Sequence, residues 1–176
     1  LSQIEYIVGT EVFDRGMLRY FDEWAFRHPN DNDFIRVMEK ESGLELDWYR
    51  EYFVQTTKTI DYSVTSVAKK DKKTTTIKLT KAGLMPMPID LVITESNGDK
   101  TYITIPLRMM RGAKVKDGDT TYEVYPDWPW TNETYTLEVP IKSKKIVSVE
   151  IDPSLRLADI DKEKNMLEGK KGKFKN

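Results

Sequence analysis

The stretch IDLVITESNGDKTYITIPL (Ile89–Leu107) decides how the second half of this chain is read. Two runs rich in Val, Ile, Thr and Tyr flank a polar break, and such residues favour a pleated, half-buried backbone. Asn97-Gly98 at the break is a hairpin signal, because the tightest hairpin turn needs positive φ at both central residues. The stretch therefore predicts two antiparallel strands. Working outward, TIDYSV, TTTIKLT, TTYEVY, TYTLEVPI and IVSVEID carry the same residue types, and Ile77 and Leu79 alternate strictly with Thr76, Lys78 and Thr80. This spacing over residues 57–153 predicts an antiparallel immunoglobulin-like β-sandwich of about seven strands. Residues 154–176 end in KEKNMLEGKKGKFKN and read as a polar, flexible tail whose lysines are solvated.

Upstream the period changes. In TEVFDRGMLRYFDEWAF, Phe13, Met17, Tyr20, Phe21 and Trp24 recur at spacings of three and four, which predicts a helix with one broad apolar stripe. Thr10 is its expected N-cap, and Pro29 stops it, since the residue before a proline avoids helical backbone. Asn30 is placed to cap a second helix, with Asp33 at its third position and Phe34, Val37 and Met38 on the buried face. Gly43 sits where a left-handed C-cap belongs. LELDWYREYF then restarts a short helix whose Leu46, Trp48, Tyr49, Tyr52 and Phe53 cover more than one face. That much aromatic surface calls for a partner, in this chain or outside it, and self-association through it is expected. Residues 1–56 thus predict about three helices, and the whole chain an α+β protein.

Composition narrows the functional classes. The chain has 176 residues, 39% of them hydrophobic and 32% charged, which suits a globular protein with a core of its own. A formal net charge of -1 supplies no overall field for nucleic acid or an anionic membrane, and neither is an expected partner. No apolar run is long enough for a membrane span, and no signal peptide is visible. Cysteine is absent, which removes disulfides, thiolate nucleophiles and cysteine zinc sites. The first residue is Leu1 rather than methionine, so a piece of a longer protein is expected.

Chemistry-bearing groups are scarce. His28 is the single histidine, and a catalytic zinc site takes three protein ligands, so capping or packing is its favoured role. No Gly-x-Ser-x-Gly elbow presents a serine, and no phosphate-binding glycine loop is present; Gly83, Gly112 and Gly118 read as turn residues. The acids of DNDFIRVMEKE fall on a cap and on solvated faces, which leaves a carboxylate-only hydrolase as a minor reading. Asn132 opens a short glycosylation-like triplet that is common by chance. The aromatic cluster YEVYPDWPW (Tyr122–Trp130) offers Tyr125, Trp128 and Trp130 as an interaction surface for sugar rings, prolines or another protein. The favoured reading has the two tryptophans plugging one end of the sandwich or packing it on the helices. No catalytic, cofactor-binding or metal-ligating residue emerges.

The run VFDRGMLRYFDEWAFRHPNDNDFIRVMEKESGLELDWYREYFVQT (Val12–Thr56) resembles the M1 family of zinc aminopeptidases, especially its bacterial branch. The resemblance rests on positions from Leu18 and Trp24 through His28-Pro29, Met38-Glu39 and Ser42-Gly43 to Asp47-Trp48. GLMPMPIDLVIT (Gly83–Thr94) also looks like the start of the small sandwich that follows the catalytic domain there. The resemblance spans about residues 5–152 and implies the distal helices of a peptidase domain followed by that sandwich. In the family an HExxH helix and a later glutamate hold zinc, and the glutamate of that motif activates a zinc-bound water. Neither HExxH nor the Gly-x-Met-Glu-Asn strand occurs in this chain, so no catalytic residue carries over. The implied cofactor is zinc in a parent protein, and the implied partner is the rest of its catalytic domain. The large helical domain of many members is also missing, which favours an exported branch over a cytoplasmic one and leaves the compartment open. The other reading is a free-standing β-sandwich binding module that uses the aromatic loop.

Overall fold

Thr10, the expected helix cap, instead opens helix α2 (Thr10–Trp24) from within. Gly9 holds the capping position at φ 89°, and it joins α2 to a helix not foreseen in the sequence, α1 (Ser2–Val8). A side chain at Gly9 would lie 2.9 Å from the Lys116 carbonyl oxygen, so both the conformation and the close approach require glycine. The computed structural model, which describes residues 1–170 and 172–174, is an α+β protein.

Helix α3 (Asp31–Ser42) follows the sequence closely. The Asn30 side chain accepts from the Asp33 N–H, the Asp33 carboxylate accepts from the Asn30 N–H, and Gly43 ends the helix at φ 69°. A fourth helix, α4 (Asp47–Tyr49), continues as a π-helical turn over Arg50–Val54. Leu46, Trp48 and Tyr49 are buried within this chain, while Phe53 and Val54 stay exposed, so only the end of this segment lacks a cover. α2 differs from expectation. Phe13, Met17, Tyr20 and Trp24 are only half-buried and Phe21 is 67% exposed. Only α3 lies against this helix over most of its length, through Gly16 on Met38 and an edge-to-face contact of Tyr20 with Phe34.

The strands build two main sheets and a small ribbon. β1 (Tyr62–Lys69), β2 (Thr75–Lys81) and β8 (Thr134–Val139) form an antiparallel sheet in the order β1-β2-β8. The larger sheet holds β3 (Ile89–Glu95), β4 (Lys100–Ile105), β7 (Glu123–Val124), β9 (Ile146–Ile151), β10 (Met166–Lys170) and β11 (Lys173–Phe174). Its order is β11-β10-β9-β3-β4-β7, and the β4–β7 pair is parallel, so the sheet is mixed rather than purely antiparallel. β5 (Lys116–Asp117) and β6 (Thr120–Thr121) make the ribbon. β3 and β4 pair as read, with Leu91 opposite Ile103. Their loop has positive φ at Gly98 alone, because Ser96 and Asn97 centre a turn closed by the Gly98 N–H on the Glu95 carbonyl and Gly98 takes the left-handed position that follows it.

The expected polar tail is corrected by the structure. Leu157 and Leu167 are buried, β10 pairs with β9, and the Asp159 carboxylate accepts from the Tyr62 N–H at 2.9 Å. Leu157, Asp159, Asn165 and Leu167 are buried and anchor a segment that is otherwise largely polar. Lys171 and Lys175 of that segment lie outside the described residues. At the other end, the Gln3 amide donates to the Arg156 carbonyl and accepts from the Ala158 N–H, which ties α1 to the same segment. The change of period near residue 57 coincides with the change from helices to strands. The buried apolar side chains form one cluster from Ile4 to Leu167 that runs across it.

Candidate functional site

The aromatic loop separates into unlike halves. Trp128 is 1% exposed, lies edge-on to Tyr62, stacks on Tyr135 and donates from Nε1 to the Asn132 carbonyl at 3.0 Å. It is the plug of the favoured reading and offers no face to a ligand. Trp130 is 41% exposed and leans on Tyr52, with Lys58 over the Tyr52 ring. Tyr125 is half-buried, and its hydroxyl donates to the Glu138 carbonyl. Of the three residues singled out in sequence, only Trp130 and Tyr125 remain accessible. They border different clefts and do not form one surface.

A denser concentration of chemistry sits where α1 and α2 meet the large sheet. The Lys114 ammonium is buried and donates to the Asp90 carboxylate at 2.6 Å, to the Tyr6 carbonyl at 2.6 Å and to Asp117 at 3.4 Å. The Thr104 hydroxyl donates to the other oxygen of Asp90 at 2.9 Å. Arg156 bridges Asp117 and Glu5, and the Thr10 N–H and hydroxyl both donate to Asp117 at 2.9 Å. Lys114 also lies over the rings of Tyr6 and Tyr122. Two cations thus face three carboxylates, and every proton of Lys114 has an acceptor. The cluster joins the first two helices to the large sheet.

Tyr102, Tyr122, Asp117 and Arg156 line a cleft of about 360 Å³ beside this joint. Burial by itself raises the Asp117 pKa, but the Thr10 N–H, Arg156 and Lys114 outweigh it and hold the carboxyl at about 2. Asp90 goes the other way: loss of water dominates and raises its pKa, with Lys114 opposing. A carboxylate whose folded pKa lies below the unfolded value of about 4 stabilises the fold fully above that pH, and the contribution fades as pH falls to about 2. The stability gap between the wild type and Asp117→Asn is therefore expected to shrink as pH falls from about 5 to about 2. Urea midpoints across that range measure it, and a constant gap would overturn the role given to Asp117.

Apart from Asp90, none of these ionic residues stands out by local pattern. One signal was available: Asp90 is an acid inside the apolar run MPIDLVI, where an unpaired charge would be costly. His28 is exposed in the turn between α2 and α3. Among the described residues no three of His, Cys, Asp or Glu converge in an arrangement that could hold a metal ion. Among the same residues, no helix is long and apolar enough to cross a membrane. Compared with models of known protein families and with curated proteins, the chain matches none.

Proposed function

We propose that this chain is the non-catalytic C-terminal portion of an M1-like zinc aminopeptidase. The parent would remove amino-terminal residues from peptides with a zinc-activated water, using ligands supplied by another part of the protein. What supports the reading, beside the resemblance of residues 12–56, is an uncovered apolar face on the helices. Leu18 is 70% and Phe21 67% exposed, and Phe26 is fully exposed. Phe26 carries the argument. It has φ 61° at the end of α2, in a turn closed by the Arg27 N–H on the Trp24 carbonyl. An aromatic residue in left-handed backbone costs roughly 1–2 kcal/mol, and nothing among the described residues offsets that by burying the ring. A peptidase domain packed over α2 would bury it together with Leu18 and Phe21.

Under this reading the two main sheets form the immunoglobulin-like sandwich that follows the catalytic domain. β1 lies against β9 and β10, and inward residues of both sheets share one core, in keeping with that arrangement. The chain's own part is to hold the last helices in place, with Lys114 and Arg156 fixing them on the sheet.

The coding DNA ahead of Leu1 tests the proposal directly. An in-frame HExxH followed by a helix-borne glutamate is expected, and a start codon immediately before Leu1 would overturn it. The isolated chain is expected to retain no stoichiometric zinc by elemental analysis and to cleave no aminoacyl reporter. Zinc-dependent turnover by a clean preparation would sink the idea equally well.

A further inference from the structure

One cleft of the molecule is lined by five lysines. The β1–β2 loop brings Lys69, Asp71 and Lys72, the β8–β9 connection brings Lys142 and Lys144, and the β10–β11 turn brings Lys173. Together they line a cleft of about 550 Å³. On a chain of net charge -1 this is a strongly asymmetric placement of charge.

Two neighbouring lysines are paired with acids, and these five are not. Lys70 pairs with Glu138 at 2.5 Å and Lys145 with Glu95 at 3.3 Å. Lys69, Lys72, Lys142, Lys144 and Lys173 form no ion pair among the described residues, although each is exposed and free to seek one. Asp71, the sole acid at the rim, has one carboxylate oxygen engaged by the Lys73 and Thr74 N–H groups at 2.7 and 2.8 Å. The walls are held in place rather than trailing in solvent. The Thr75 hydroxyl donates to the Ile141 carbonyl at 2.6 Å, and Gly172, at φ 78°, lets the last turn close on Lys144. A side chain at position 172 would meet the Lys144 nitrogen at 3.2 Å, so glycine there brings Lys173 up to Lys142 and Lys144.

Fixed like charges around a concave space repel one another, and a multiply charged anion relieves that repulsion while releasing condensed counterions. The lining decides between kinds of anion. Among the described residues it contains no aromatic side chain on which a nucleobase could stack and no aliphatic one to take an acyl chain. The volume lies within the range of roughly 300–1,000 Å³ found for small-molecule sites. Lysine ammoniums are compact point charges on flexible stems, suited to a chain of phosphates more than to a single planar carboxylate. We propose that this cleft binds a small, multiply charged oxyanion of the oligophosphate class, independently of the peptidase reading.

Calorimetric titration of the whole chain with inorganic tripolyphosphate, at about 0.15 M salt, tests the proposal. One saturable site is expected, with inorganic phosphate and sulfate at least about tenfold weaker, since each lacks the additional charges. Lys72→Gln/Lys142→Gln/Lys144→Gln, all exposed positions whose fold circular dichroism will verify, is expected to weaken binding at least about tenfold. Lys100→Gln/Lys162→Gln removes charge elsewhere and is expected to leave affinity unchanged. Unsaturable binding, an equal loss in both variants, or parity between sulfate and tripolyphosphate would reduce the cleft to a solvated lysine face and overturn the proposal.

Discussion

Lys114→Met is expected to lower the stability of this protein by about 3–5 kcal/mol, the usual cost of removing one member of a buried ion pair. The reason lies in what is left behind. Asp90 is 2% exposed, and without Lys114 its only remaining side-chain donor is the Thr104 hydroxyl. The Tyr6 carbonyl also loses the ammonium that donates to it. Arg156 and Thr10 still hold Asp117, so the damage centres on Asp90. For a chain of this length the loss corresponds to a fall in midpoint on the order of 10 °C. A double-mutant cycle makes the assignment specific. Lys114→Met/Asp90→Leu removes both charges, and it is expected to recover most of the loss, because apolar replacement of a buried pair is often close to neutral. Should the double variant be less stable than Lys114→Met alone, the lysine would be acting through packing and the electrostatic account would fail.

Trp128→Ala is expected to cost a similar amount, about 3–5 kcal/mol, through the cavity left in the core. The ring fills the space between Tyr62 of β1 and Tyr135 of β8, and its Nε1 donor satisfies the Asn132 carbonyl. Trp130 has the same chemistry two residues on, yet its only aromatic neighbour is Tyr52 and 41% of it faces solvent. Trp130→Ala is expected to cost less than about 1.5 kcal/mol. Urea unfolding of both variants separates the roles. Equal losses would show that the loop is anchored by both rings and that the accessible side of Trp130 has a structural task.

The features that are legible in the sequence are those whose partners lie close along the chain. The Asn30–Asp33 capping box, the Gly43 stop and the β3–β4 pair each need only a handful of neighbouring residues. Helix α1 escapes because its seven residues are too few for a period to emerge and its helical state comes from burying Ile4, Tyr6, Ile7 and Val8. The segment after Ser154 misleads for the opposite reason. Its composition is polar, but Leu157 and Leu167 are both directed inward. The joint is invisible from local pattern because Thr10 and Asp117 lie 107 positions apart, and Lys114 stands 24 from Asp90. Side-chain spacing reports which residues share a face and says nothing of which distant charge will meet them.

The stitch between Gln3 and the segment at Arg156–Ala158 sets an order of events for folding. The two sides are 155 positions apart, so α1 cannot find its final partners until almost the whole described chain has been synthesised. The bridge between Ile60 and Asp159 likewise forms only once that late segment arrives. Closing loops of this length carries a large entropic cost before any contact can reward it, and such topologies fold slowly. On the ribosome, Tyr6 can meet Pro88, Asp90 and Lys114 before the last strands are made, whereas the Gln3 bonds to Arg156 and Ala158 close only afterwards.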